Sequence, residues 1–414
     1  MFREAAYEAA RDAMKTRMFL LGLSSGTAGM LFLVCIAVMV ASYDPNAGAI
    51  HTITGWPYPL FRSAFLLCLC QLCYGVVIFC WRRAKVDYRG ALGCGAAVTY
   101  SAVLSYAYAC FTLVFAAFVV YALVLLAPEA VPGARHIRDA LPVMAFLSPL
   151  LVLVWPGDRA PLGCGRTRGA SAARAALVLE FLGPVLASPF SEVTFARTLV
   201  AAVLTSLPKI FADAQYALCV IGDRLAFGGP MGVGSPGSCG SGSFYRRVLF
   251  LLQVGPFFIR VAQSGRQFRD DPRSRARNAA NGGKYGLAVL LVAFSVAKEA
   301  RPDERVYARG WLLLAVFTTL LNQVWEVLVD WGLWTPRPRL FPDAVYYYVV
   351  VSNFFARLGW AVLVSPDQTI VKQHVILLLG CIEVVRRFQW VLIRVEHEHV
   401  KLHGGETARI TGAL

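Results

Sequence analysis

The chain has 414 residues, of which 57% are hydrophobic and 16% are charged, and its mean hydropathy is +0.57. Soluble domains carry about 25% charged residues, so this composition excludes a soluble protein and predicts an all-α bundle of membrane-spanning helices. The net charge of +15 indicates basic cytoplasmic loops rather than a nucleic-acid partner.

Ten apolar segments are candidate membrane spans, because a helix of about 20 apolar residues crosses a bilayer. They are residues 18–41, 60–81, 96–126, 141–155, 195–221, 247–263, 285–297, 310–331, 345–364 and 370–390. The fourth and seventh segments are short for a full span.

Loop charge predicts the orientation. Lysine and arginine concentrate in the loops that follow even-numbered spans, on the same side as Lys15 and Arg17, whereas the first opposite loop, residues 42–57, has neither. The positive-inside rule then places both termini in the cytoplasm. We therefore predict a cytoplasmic amphipathic N-terminus (1–17), a transmembrane domain (18–400) and a cytoplasmic C-terminal tail (401–414).

The 11 cysteines are scattered. Cys68, Cys70 and Cys73 lie close together, but no histidine or carboxylate accompanies them, so we predict neither a metal site nor a cofactor. Cys219 lies in the fifth span and is interpreted as a small buried hydrophobic residue. The spacings indicate no disulfide framework.

The last predicted span carries charge into the membrane. In a helix over residues 383–399, Glu383, Arg386, Arg387 and Trp390 fall on one face. A charge at the bilayer centre costs at least ~2.5–3.5 kcal/mol. The stripe is therefore either a functional face inside the bundle or a set of anchors that snorkel to the cytoplasmic interface.

Other charged residues interrupt earlier spans. Glu326 and Asp330 are four residues apart and share a helical face. They are either a structural pair for Arg357 or Lys284, or a gate that holds the bases when no anion is bound. Arg357 lies midway along the ninth span, and its depth favours a function. Lys284 and Arg260 are either interfacial anchors or ligands.

Bases outnumber acids in the last five spans. A surplus of arginine and lysine within one bundle favours an anionic solute. Planar guanidinium groups suit phosphate or carboxylate, because two N–H groups can bond two oxygens at once.

Motifs along nearly the whole chain occur in the same order as in a known protein family. The most distinctive are Arg260-x-x-Gln263, Asn281-x-Gly283-Lys284-Tyr285, Trp325-Glu326-x-x-x-Asp330-Trp331-Gly332, Arg357-x-x-Trp360, Glu383-Val384-x-Arg386-Arg387-Phe388-x-Trp390 and Arg394-x-Glu396-x-Glu398-His399. On these motifs the chain resembles the EXS domain of the eukaryotic phosphate-exporter and retrovirus-receptor family, and of its shorter Golgi relatives.

The resemblance implies a ten-span transporter of inorganic phosphate, embedded in membrane lipid and dimeric through its first span. It implies a set of phosphate-binding residues: Lys284, Tyr285, Arg357, Arg386 and Arg387. It also implies charge partners or gate residues: Glu326, Asp330, Trp360, Glu383 and Arg260.

Three positions depart from the exporter pattern. Ala202 and Glu326 stand where exporters have aspartate, and Leu249 stands where an arginine is expected. Only residues 1–17 precede the first span, so we expect a short, Golgi-type member that lacks the family's SPX sensor domain. A separate SPX protein is a candidate partner.

Three functions compete. The first is transport of phosphate out of the cytosol or out of the Golgi lumen. The second is retention of Golgi glycosyltransferases by a trafficking factor that transports nothing. The third, an enzyme acting on phosphorylated lipid, is disfavoured because no acid-rich metal motif or paired histidine is present. Charges within spans favour transport, since a retention factor does not need them.

Overall fold

The computed structural model describes residues 2–41, 56–93, 99–130, 132–154, 182–227, 239, 242–359, 361 and 372–410. The regular structure in these ranges is helical, which confirms the predicted all-α class. The helices are α1 (Phe2–Ala41), α2 (Tyr58–Arg83), α3 (Tyr88–Leu92), α4 (Tyr100–Leu126), α5 (Ala134–Val154), α6 (Gly183–Leu186), α7 (Phe195–Leu204), α8 (Pro208–Phe227), α9 (Ser243–Asp270), α10 (Arg275–Ala300), α11 (Arg305–Trp325), α12 (Asp343–Arg357) and α13 (Lys372–Ile410).

Six helices within the described ranges are long and apolar enough to cross a membrane. A seventh span results if α7 and α8, which meet at a 64° bend, are counted as one. The predicted count of ten is therefore not confirmed, although α5, α12 and α13 occupy the fourth, ninth and tenth predicted positions. α12 does not count as a span because it has only 15 residues. α13 does not count because charged side chains interrupt its apolar run.

Helix bounds also differ from prediction. α1 runs without a break across the predicted boundary at residue 17. α10 begins at Arg275, before the predicted start of the seventh span at residue 285, so Gly282 and Gly283 lie inside a helix. Asn281 Nδ2 donates to Ser264 Oγ at 3.0 Å, and a Cβ at Gly282 would lie 3.4 Å from the Ser264 Cβ. α9 and α10 are therefore in contact at Asn281 and Gly282.

The chain divides into two compact units. The first comprises Met1–Val76, Val98–Ala175 and Ile210–Arg246. The second comprises Val77–Ala97, Ala176–Lys209 and Arg247–Leu414.

In the first unit, α4 packs against α1 and α5 around an aromatic core. Phe61 meets Phe118 edge to face with ring centroids 5.3 Å apart, and Phe111 stacks on Phe115 at 5.4 Å. Such aromatic pairs add to the burial of the rings themselves.

A buried ion pair also lies in the first unit. Arg62 donates through Nε and Nη2 to the two carboxylate oxygens of Asp213, at 2.7 and 2.6 Å. Their side chains are 5% and 6% exposed. Because either charge alone would be costly to bury, the pair ties α2 to α8. Sequence reasoning overlooked this pair, since its members lie in different spans.

Cys219 and Cys239 form a disulfide across 20 residues of sequence. Our interpretation of Cys219 as a buried hydrophobic residue without a covalent partner is therefore wrong. Local spacing could not indicate the pairing, because the two cysteines are 20 residues apart in sequence and meet only in the folded structure.

In the second unit, α10 packs against α11, and both α3 and α12 pack against α13. Indole groups attach to the α13 backbone: Trp81 Nε1 donates to the Leu392 carbonyl at 3.0 Å, and Trp331 Nε1 donates to the Trp390 carbonyl at 3.4 Å. These bonds hold α13 in a defined position. The candidate site is built around the polar stripe of this helix, which consists of Glu383, Arg386, Arg387 and Trp390.

Candidate functional site

Two residues of the polar stripe of α13, Arg386 and Trp390, are buried in protein. Arg386 and Trp390 are each 4% exposed, whereas Val385 on the other side of the helix is 40% exposed. A snorkelling anchor keeps its charged head in water. The burial of Arg386 is therefore that of a residue inside the bundle.

Glu326 enters the same region from a π-helical turn. Residues Glu326–Asp330 continue α11, and the Trp331 amide donates to the Glu326 carbonyl at 2.8 Å, one residue further along than in an α-helix. π-Helical turns within α-helices often occur at functional sites. Here the turn places a 4% exposed carboxylate beside two arginines.

Glu326 is the acid that these arginines share. It forms an ion pair with Arg357, and Arg386 Nη1 lies 3.8 Å from its Oε1 atom. Asn353, fully buried, donates through Nδ2 to Glu326 Oε2 at 2.9 Å and to Gln323 Oε1 at 2.6 Å. Arg386 Nη1 in turn donates to Asn353 Oδ1 at 3.2 Å.

Arg386 has a second acidic partner. Its Nε and Nη2 atoms donate to the two oxygens of Glu383 at 2.8 and 2.5 Å. This is the bidentate fork that a guanidinium group makes with a carboxylate. The predicted charge partner Glu383 therefore satisfies Arg386.

Arg387 is held differently. Its Nε donates to Ser206 Oγ at 2.5 Å and its Nη2 to Thr205 Oγ1 at 3.2 Å, while its guanidinium lies 5.1 Å from the Trp390 ring centroid. No carboxylate within the described ranges pairs with it. Two hydroxyl groups orient Arg387 without neutralising its charge.

Lys284 is 6% exposed and lies among aromatic rings. Its Nζ atom is 4.8 Å from the ring centroids of both Tyr285 and Trp325. No hydrogen bond or ion pair joins Lys284 to another part of the chain that the structure describes. The neighbouring Trp325 Nε1 is buried and has no hydrogen-bond acceptor among the same residues.

Arg260 borders the same tyrosine. Its guanidinium lies 4.8 Å from the Tyr285 ring centroid, and its Nη1 donates to Gln263 Oε1 at 2.5 Å. Of the positions that depart from the family pattern, Ala202 is buried in α7 and Leu249 is half-buried in α9.

The contacts of Asp330 differ from one expected pairing. In one of our two interpretations, Glu326 and Asp330 both paired with Arg357 or Lys284, but the structure pairs Arg357 with Glu326. Asp330 instead accepts a hydrogen bond from Trp390 Nε1 at 3.2 Å. The predicted gating aromatic, Trp360, lies outside the described residues.

At this site, sequence reasoning assigned no role to two buried polar residues, Asn353 and Glu396. Asn353 lies four residues before Arg357 on the same helical face, and this periodicity could have identified it. Glu396 is fully buried, and accepts from Tyr346 Oη at 2.7 Å, the Leu340 amide at 3.1 Å and Arg337 Nη2 at 3.1 Å.

His397 supports the π-helical turn from α13. Its Nδ1–H donates to the Asp330 carbonyl at 2.8 Å. Its ring also lies against Gly332, whose φ of +59° is a conformation that favours glycine. Burial lowers the pKa of His397 below its ordinary value of 6.5.

A lowered pKa means that folding favours the neutral ring. The stability that His397 contributes is therefore present above pH 6.5 and is lost as the pH falls toward the folded-state pKa. We expect the thermal midpoint of the wild type to fall more steeply below pH 6.5 than that of His397→Gln, measured in the same detergent. Parallel pH profiles would contradict this assignment.

Taken together, the four predicted bases fall into two classes. Arg357 and Arg386 have carboxylate partners, whereas Arg387 and Lys284 have none among the described residues. Buried cations without acids favour an anionic ligand. Within the same ranges, no group of three or more histidine, cysteine, aspartate or glutamate residues is arranged to hold a metal ion.

Comparison with known proteins identifies the family. The profile described as "EXS family" matches residues 57–400. Solute carrier family 53 member 1 from Homo sapiens is 27% identical over 245 residues, which cover 54% of this chain and 35% of that protein. The xenotropic and polytropic retrovirus receptor 1 homolog from Xenopus laevis is 26% identical over 242 residues, with the same coverage.

A third relative is the SPX and EXS domain-containing protein 3 of Dictyostelium discoideum, which is 27% identical over 232 residues that cover 52% of this chain and 24% of that protein. The matched region therefore spans about a third or less of the length of these relatives. At the family level, proteins named as solute carriers agree with a transport role rather than an enzymatic one. The chain is a multi-pass membrane protein that belongs to the EXS family.

Proposed function

We propose that the protein transports inorganic phosphate through the second unit, along a path bordered by Lys284, Tyr285 and Arg387. The observation that carries this proposal is Lys284, which is 6% exposed and whose Nζ atom lies 4.8 Å from the ring centroids of both Tyr285 and Trp325. It has no acidic partner in the described ranges. A buried ammonium group without a counterion is unfavourable, and a mobile anion supplies the missing charge.

The chemistry of phosphate fits this set of donors. Its oxygens can accept from a guanidinium fork, from the Lys284 ammonium and from the Trp325 indole, whose Nε1 is buried without an acceptor. The Arg357 Nε atom is likewise buried without an acceptor. Transport also requires release, since binding must be weak enough for the ion to leave.

Glu326 provides a competing anion for the same bases. Its carboxylate neutralises Arg357 and lies 3.8 Å from Arg386 Nη1. When phosphate approaches these arginines, it competes with Glu326 for their N–H groups. In this proposal Glu326 acts as the gate that holds the bases when no anion is bound.

The test is Arg387→Lys. Lysine keeps the charge but loses the planar fork. A hydrogen bond to a charged group is worth ~1.5–3 kcal/mol, so we expect phosphate flux in proteoliposomes to fall about ten- to hundredfold. Flux is measured with radiolabelled phosphate and with this protein alone in the membrane.

The matched control is Arg394→Lys, further along α13 toward its C-terminal end. Arg394 pairs with Glu398 at 3.3 Å, and a lysine can keep that pair. We expect its flux to stay near that of the wild type. Unchanged flux in Arg387→Lys would contradict the proposal that Arg387 binds phosphate through its planar guanidinium fork. Lost flux with normal Golgi-enzyme retention would separate transport from the trafficking hypothesis.

Our proposals on membrane orientation, compartment and partners rest on loop charge and on the family resemblance. We propose that both termini are cytoplasmic, with residues 1–17 and 401–414 flanking the membrane domain, and that the Golgi is the site of action. Homodimer formation through α1, contact with membrane lipid and regulation by a separate SPX protein belong to the same proposal.

A further inference from the structure

The disulfide joins α8 to Cys239, a residue shortly before the start of α9. Cys219 lies within α8, and Cys239 lies between α8 and α9. A hydrogen bond also joins α8 to the start of α9: Gln215 Nε2 donates to the Tyr245 carbonyl at 2.8 Å. Both contacts lie within the first unit.

Disulfides persist in oxidising compartments, whereas cytosolic reductants keep thiols reduced. We infer that Cys219 and Cys239 are a site of oxidative pairing on the exoplasmic face, the extracellular or luminal side of the membrane. Residues 228–242 contain no lysine, arginine, aspartate or glutamate. Loops without basic residues are typical of the exoplasmic side.

The far end of α9 supports the same orientation independently. α9 is a candidate span, and its C-terminal end and the following turn carry a cluster of basic residues. The cluster comprises Arg266, Arg269, Arg273, Arg275 and Arg277, and outnumbers Arg246 and Arg247 at the near end. The positive-inside rule places the cluster in the cytoplasm. The ends of a span lie on opposite sides, so the disulfide end is exoplasmic.

The pairing reaction balances with an external oxidant. Two thiols lose two protons and two electrons as the S–S bond forms. The electrons pass by thiol–disulfide exchange to a disulfide-bearing oxidoreductase of the exoplasmic compartment. The other cysteines of the described ranges, which form no disulfide, are buried or half-buried, which restricts exchange at those positions. They are Cys35, Cys68, Cys70, Cys73, Cys80, Cys110 and Cys381.

The experiment counts thiols in the full chain in native membranes. Protein is denatured with or without a reductant, and each free thiol is given a maleimide mass tag. We expect the unreduced wild type to carry two tags fewer than the reduced wild type. In Cys219→Ser and in Cys239→Ser, this difference should disappear.

Sidedness is measured on sealed vesicles with a membrane-impermeant phosphine reductant. We expect it to abolish the two-tag difference when applied to the exoplasmic face and to have no effect from the cytoplasmic face. The control is Arg273→Cys in the Cys219→Ser/Cys239→Ser background, which an impermeant maleimide should label only from the cytoplasmic face.

Two outcomes would overturn the inference. One is equal tag numbers in reduced and unreduced wild type, which needs no variant and so does not depend on how variants fold. The other is reduction that occurs only from the cytoplasmic face. Neither outcome depends on phosphate flux.

Discussion

Glu326→Ala is expected to lower the free energy of unfolding by about 3–5 kcal/mol, because it removes one member of a buried ion pair. Arg357 would lose its partner, and Arg386 and Asn353 would each lose a contact with the same carboxylate. The measurement is denaturant unfolding of the purified protein in detergent.

The same variant also tests whether Glu326 is the gate that holds the bases when no anion is bound. If phosphate competes with Glu326 for the arginines, then phosphate should partly replace the missing carboxylate. A ligand at a hundredfold excess over its dissociation constant adds about 2.7 kcal/mol of stability. We therefore expect phosphate, compared with chloride at equal ionic strength, to raise the thermal midpoint of Glu326→Ala more than that of the wild type.

Two results would separate the structural role from the gate. A loss of stability without phosphate rescue would leave Glu326 as a structural counterion only. A loss below about 1 kcal/mol would contradict the ion pair itself, since that is the range of exposed pairs. Glu326→Gln serves as a control of nearly equal volume that lacks the charge.

Glu396→Ala is expected to have an effect of similar size, about 3–5 kcal/mol, because it leaves a buried guanidinium without its acid. Arg337 is 8% exposed and Glu396 is fully buried. The variant also removes the acceptor of Tyr346 Oη and of the Leu340 amide. The connection between the π-helical turn and α12 would lose its attachment to α13.

The matched control lies in the same connection. Arg339 and Asp343 form an ion pair at 3.0 Å, but their side chains are 39% and 70% exposed. Asp343→Ala should therefore change stability by less than about 1 kcal/mol. If Glu396→Ala and Asp343→Ala had equal effects, the Glu396 contacts would not contribute to folding as described.

The sequence by itself determined the fold class and the family. Composition alone required a membrane bundle, and long apolar segments identified the helices α2, α4 and α9. A 3.6-residue period was enough to place Glu383, Arg386 and Arg387 on one face of α13, because that pattern is local. Arg357 could be singled out in the same way, since a charge within an apolar segment is visible in the sequence. Lys284 was visible as a charge at the edge of such a segment.

Only the tertiary structure decided which charges meet. Arg387 contacts Ser206 across 181 residues of sequence, and Glu326 rather than Asp330 pairs with Arg357. The Cys219–Cys239 bond was hidden for the same reason. Local periodicity specifies the face on which a side chain lies, whereas the packing of distant helices selects its partner, and a buried charge takes the partner that packing brings within reach.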